Sequence, residues 1–228
     1  LISLLVLAMG GLLSLGTGNS LGLLYFKEKK HQKREEIIWT NVLLLMINSL
    51  FWYVIIFFSA PFLSYLILQK VLYADLIRIA FVGALAITIT DPMLAFLRME
   101  QLAKQYVFLT LSTSVMTIAL SFWMVIFMKL GVLGIILSVT LAQCLMLCLI
   151  LILVGRRLKF GVNISHMISL TRIGFPSIFG LFAFLIIDYA DRQMIERFLG
   201  LNELGIYSIG YSFGIMMTII VGAFGTSW

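Results

Sequence analysis

Residues 131–154, GVLGIILSVTLAQCLMLCLILILV, contain no charged side chain. At a helical rise of about 1.5 Å per residue they reach ~36 Å, enough to cross a hydrocarbon layer about 30 Å thick. Lipid offers the backbone no hydrogen bonds, so a segment of this kind must satisfy its own amides as a helix. A strand of a membrane barrel would alternate polar and apolar residues with period two, and this one does not.

Six further stretches repeat the pattern, at about 1–25, 37–59, 76–97, 105–128, 173–193 and 204–228. Of the 228 residues, 62% are hydrophobic and 11% charged, with a mean hydropathy of +1.11. A water-soluble ball of this size could not hide so much apolar surface. The fold class is therefore all-α: a polytopic transmembrane helix bundle of about seven spans. Three Pro and two Cys exclude a Pro-rich linker protein and a disulfide-stapled domain. Residues 37–69 carry no charge, a run too long for one upright helix and too short for two. Pro61 is expected to end or kink that helix and to leave 60–72 at the interface.

The connections divide by charge. Lys27, Lys29, Lys30, Lys33, Arg34, Arg98, Lys104, Arg156, Arg157, Lys159 and Arg172 lie in the odd connections, against Lys70, Lys129, Arg192 and Arg197 in the even ones. Eleven against four places the odd connections in the cytoplasm and the start of the chain outside. Residues 1–26 lack the basic leader of a signal peptide. The chain reads as a window from a longer membrane protein, with an odd number of helices expected before it. The net charge of +6 belongs to these connections and is no nucleic-acid footprint. In the fifth connection, Phe160, Ile164, Met167 and Ile168 fall at helical spacing, with Asn163, His166 and Arg172 on other faces. That predicts a short amphipathic helix on the cytoplasmic surface, a linker between two bundles.

Enzyme motifs are absent: no phosphate loop, HExxH, CxxC or GxSxG occurs. Cys144 and Cys148 stand one turn apart without a nearby His or carboxylate, and read as small core residues rather than metal ligands. No metal or cofactor is expected. His31 and His166 read as solvated.

Ionisable groups inside spans need a reason. Asp91 precedes Pro92 in the third span; it is either a capped kink or a carboxylate facing a wet cavity, able to take a proton or a sodium ion. Asp188, Asp191 and Arg192 lie toward the outer end of the sixth span. Asp188–Arg192 and Arg192–Glu196 are i,i+4 pairs, so the group is either a self-neutralising ladder or a polar stripe facing a cavity. Gly10, Gly11, Gly16, Gly18 and Gly22 crowd the first span, which must pack tightly or bend.

Gly174-Phe175-Pro176 opens the sixth span; Asp191-Arg192, Gly200, Leu204-Gly205-Ile206-Tyr207-Ser208, Tyr211, Ala223-Phe224 and Ser227-Trp228 follow in order. With Leu24-Tyr25-Phe26, Leu97-Arg98, Tyr106 and Gly131-Val132-Leu133-Gly134, this order resembles bacterial polysaccharide repeat-unit flippases. These are the Wzx-like O-antigen and exopolysaccharide transporters of the multidrug/oligosaccharidyl-lipid/polysaccharide exporter superfamily. The resemblance implies a two-lobe transporter: residues 1–154 finish an N-terminal lobe, 155–172 form the linker and 173–228 open the C-terminal lobe. It implies a polyprenyl-pyrophosphate-linked oligosaccharide as substrate and the bacterial cytoplasmic membrane as location. Polymerase and glycosyltransferase neighbours are implied too, with membrane lipid as the other partner and no enzymatic activity of its own. Arg98, Arg172 and Arg192, with Asp188 and Asp191, are the candidate substrate-binding residues, and Asp91 the candidate ion-coupling residue. A cation-coupled drug or small-molecule exporter of the same superfamily is the alternative. A membrane-embedded glycosyltransferase or polymerase is disfavoured, because such proteins carry a large outer loop and no connection here exceeds about twenty residues.

Overall fold

The computed structural model describes residues 9–68 and 74–225. They are helical almost throughout, with no strand among them. A few side chains within these helices, Asp188 and Glu196 among them, lie outside the described residues. A helix α1, described over 9–14, is followed by α2 (Thr17–Lys27), α3 (His31–Leu68), α4 (Ala74–Met99), α5 (Ala103–Phe122), α6 (Gly131–Ile150), α7 (Ile164–Leu199) and α8 (Leu201–Gly225). α5 and α6 each run on into a π-helical turn, Trp123–Phe127 and Leu151–Gly155. Segments His31–Tyr65, Ala74–Met99, Ala103–Phe127 and Gly131–Gly155 are each long and apolar enough to cross a membrane. The protein is an all-α membrane helix bundle.

The chain forms two compact units, Leu1–Phe179 and Gly180–Trp228. In the first, α4 is central and packs against α3 and α6. One buried cluster gathers Tyr25, Ile38, Met93, Phe96, Leu97 and Ile150; another, toward the opposite helix ends, gathers Leu13, Ile56, Ile77 and Phe81. The outer faces are apolar as well: Phe108, Val115 and Phe122 of α5 are exposed, as a lipid-facing helix requires. Gly83 makes room for α6, since a Cβ there would lie 3.0 Å from the Thr140 hydroxyl.

Of the two outcomes expected at Pro61, an end or a kink, the structure excludes the end: α3 runs through it for 38 residues. The reason lies on α4. Proline has no N–H, so the carbonyl four residues back, that of Phe57, loses its helical donor. Arg78 replaces it, donating from Nε and Nη2 to the Phe57 carbonyl at 3.3 Å each. The same guanidinium lies 4.5 Å from the Phe57 ring centre and pairs with Asp75 at 2.8 Å.

The linker differs from expectation. Residues 156–163 are not helical, and the amphipathic segment is the opening of α7 rather than a separate surface helix. Ile164 and Ile168 are exposed while Leu170 is buried. The non-helical stretch is fastened to α3. The Lys159 amide donates to Glu35 at 3.2 Å, the Asn163 amide to the Thr40 hydroxyl at 3.1 Å, and the Trp39 indole to the Leu158 carbonyl at 3.4 Å. Phe160 meets Trp39 edge-on, ring centres 5.3 Å apart.

Candidate functional site

The first span is broken where its glycines and hydroxyls concentrate. Ser and Thr offer a backbone local alternatives to the helical ladder, and Gly accepts left-handed dihedrals at little cost. Leu15 and Gly16 have φ of 50° and 63°, so α1 ends and α2 begins on a new axis. Broken helices at membrane depth must find other partners for their orphan carbonyls. Asn48 of α3 supplies them: its amide donates to the Leu12 and Leu13 carbonyls at 2.9 Å each. The Thr17 hydroxyl donates to the Ser14 carbonyl at 2.9 Å.

The break abuts α7 backbone to backbone. A Cβ at Gly16 would fall on the Gly174 carbonyl oxygen, and one at Gly174 would lie 2.6 Å from the Leu15 oxygen. Leucine pays for a left-handed conformation, so this contact and the Asn48 cap are what hold Leu15 there.

Beside the junction is a cleft of about 480 Å³, lined by Leu15, Ile168, Thr171, Arg172, Phe175 and Pro176. Its wall is apolar except for Thr171 and Arg172. Pro176 also deprives the Arg172 carbonyl of its helical donor. Arg172 is exposed to the cleft and has no hydrogen-bond or ion-pair partner among the described residues. From the start of α7 to Arg172 is about 12 Å at the helical rise, and from the break to the end of α2 about 16 Å. The cleft thus lies two to three helical turns inside the ends of both helices. A guanidinium without a partner beside an apolar wall is costly to keep, and it matches a phosphate in charge and in hydrogen-bonding geometry.

The other predicted residues lie apart from this cleft. Arg98 ends α4 with its guanidinium 5.6 Å from the Tyr106 ring centre. Asp91 is exposed on the same helix, with no hydrogen bond among the described residues and only the field of Arg98 nearby. In the second unit, Asp191 accepts a hydrogen bond from the Tyr207 hydroxyl and another from the Arg192 amide at 2.8 Å. Arg192 lies 4.5 Å from the Tyr211 ring centre. The two tyrosines, one turn apart on α8, were missed as partners when Asp191 and Arg192 were weighed only against neighbours on their own helix. Asp188 and Glu196, the remainder of that ladder, lie outside the described residues.

Tyr25 is a second omission. Its ring is buried, Arg34 stands 5.2 Å above it, and its hydroxyl donates to Glu100 in the α4–α5 turn. Cys144 and Cys148 are free thiols. Among the described residues no three His, Cys, Asp or Glu side chains gather closely enough for a metal ion.

Residues 6–225 match the model of a family described as polysaccharide biosynthesis protein. No curated protein and no solved structure matches the chain.

Proposed function

The chain belongs to the polysaccharide biosynthesis protein family, and from that premise we infer that it moves a polyprenyl-pyrophosphate-linked oligosaccharide from the cytoplasmic to the outer leaflet of the bacterial inner membrane. The observation that carries this reading is the unpartnered Arg172 in an apolar cleft beside a built helix break. Discontinuous helices at the bilayer midplane are how transporters line a substrate path without exposing backbone to lipid. A lipid-linked glycan has an anionic head, a polar sugar and a greasy tail. Arg172 would hold the pyrophosphate by charge-assisted hydrogen bonds, and the apolar wall would accept the first isoprene units. Rocking of one lobe against the other would then expose the head to the outer side. The protein would make and break no covalent bond; polymerase and glycosyltransferase partners would act before and after it.

The test is surface polysaccharide in cells whose only copy of the full-length protein is Arg172→Gln, with abundance checked by blot. Loss of polymer at normal abundance, with recovery in Arg172→Lys, is the expected result. Normal polymer from Arg172→Gln would refute it.

One observation favours a second reading, a cation-coupled exporter: the exposed carboxylate of Asp91, which no described side chain engages by hydrogen bond. It predicts that Asp91→Asn abolishes transport driven by a proton or sodium gradient. Unchanged gradient-driven transport in that variant would dismiss it.

A further inference from the structure

A groove of about 290 Å³ runs between the start of α5 and the end of α6, away from the helix break. Lys104, Gln105 and Arg157 form its polar end, and Phe108, Leu153 and Val154 its apolar wall. Two cations line it and no carboxylate does. Arg157 is held in place: its Nη1 donates to Gln105 Oε1 at 3.2 Å and its amide to the Val154 carbonyl at 3.0 Å. Phe108 and Leu153 are exposed on the outside of the bundle, where a membrane protein meets lipid. The polar end coincides with the helix ends that carry the basic connections.

We propose that this groove binds one anionic glycerophospholipid, its phosphate between Lys104 and Arg157 and its acyl chains along Phe108 and Leu153. Charge complementarity selects the occupant. A zwitterionic headgroup brings its own ammonium toward two cations, whereas a phosphatidylglycerol-type headgroup brings only negative charge. The apolar wall continuing from the cationic end requires a chain attached to the phosphate, which free phosphate lacks. Basic pockets between spanning helices at the membrane boundary have this lipid chemistry in general. The site does not depend on what the protein transports, and its test measures no transport.

The experiment is native mass spectrometry of the purified full-length protein titrated with phosphatidylglycerol or phosphatidylcholine. Wild type is expected to retain one phosphatidylglycerol selectively. Lys104→Gln with Arg157→Gln should weaken that binding about 30-fold, from about 1 kcal/mol for each cation. Arg157→Lys should keep the selectivity, and Lys29→Gln with Lys30→Gln, outside the groove, should change nothing. Equal retention of phosphatidylcholine would overturn the proposal. So would unchanged binding in the groove variant, or an equal loss in the Lys29/Lys30 variant. Displacement by millimolar inorganic phosphate would show an anion site without lipid character, and displacement by polyprenyl phosphate at equal concentration a cargo site; either result overturns it.

Discussion

Arg78 shows how one side chain can rescue a proline inside a long helix. Its guanidinium gives the Phe57 carbonyl the donors that Pro61 withholds. Arg78→Ala should therefore cost about 0.5–1.5 kcal/mol, the net contribution of a hydrogen bond. In a Pro61→Ala background residue 61 regains its amide, so the same change should cost clearly less. A double-mutant cycle on thermal unfolding measures this, and equal costs in the two backgrounds would disprove the pairing. Glycine carries the other residue-level demand. Gly16→Ala and Gly174→Ala each drive a methyl into backbone that no rotamer change can move aside. Each should lose about 2 kcal/mol or more, seen as lower abundance and a lower unfolding midpoint. Gly18→Ala, with open space around its Cα, should be tolerated.

At the scale of elements, the helices of this bundle were legible because charge-free runs leave the chain one option in lipid. Their interruptions were not. Hydropathy marks where a helix can exist, and it is blind to a donor on another helix. It therefore left an end as open as a kink at Pro61, since nothing near Pro61 in sequence points to Arg78. Crowded glycines signalled that the first span packs closely or bends, while the break at Leu15 depends on Asn48, more than thirty residues away. Asn48→Leu should leave the Leu12 and Leu13 carbonyls without donors and loosen the break. Hydrogen exchange should accelerate at residues 12–18 and stay unchanged in α6; uniform protection would dismiss the cap. The α7–α8 pairing makes a parallel point. Tyr207→Phe removes the donor that Asp191 receives, and crosslinking between cysteines placed at positions 190 and 208 should fall. Unaltered crosslinking would mean that the hydroxyl holds nothing.

For the whole molecule, the basic imbalance sets the direction in which the chain threads the membrane. A single cysteine at position 31 should resist an impermeant thiol reagent in intact cells and react after permeabilisation. Labelling in intact cells would invert the topology, and with it the side from which the Arg172 cleft is loaded. The family resemblance picked Arg172 out as a site candidate without showing what surrounds it, because the cleft is made in part by Leu15, a residue with no polar atom in its side chain. The family's ordered motifs were legible for a related reason. Tyr25 with Glu100, Arg98 with Tyr106, and Asp191 with Tyr207 each join two different elements, so several of the motif residues sit where elements meet.

The π turn Leu151–Gly155 has a consequence for how the length of α6 can change. A π turn holds one residue more than the α turn it replaces. Deleting one residue there, Ile152 for example, would let the ladder revert to α, and four residues at about 100° each sweep nearly the same angle as the five they replace. Gly155 would stay beside the Trp39 indole that stands 3.5 Å from where its Cβ would be. Arg157 would stay beside Gln105. A deletion within the α-helical part, at Ser138 for example, would instead swing everything beyond by about 100° about the helix axis. The π turn is thus a slack residue: α6 absorbs one deletion there and nowhere earlier without losing its phase.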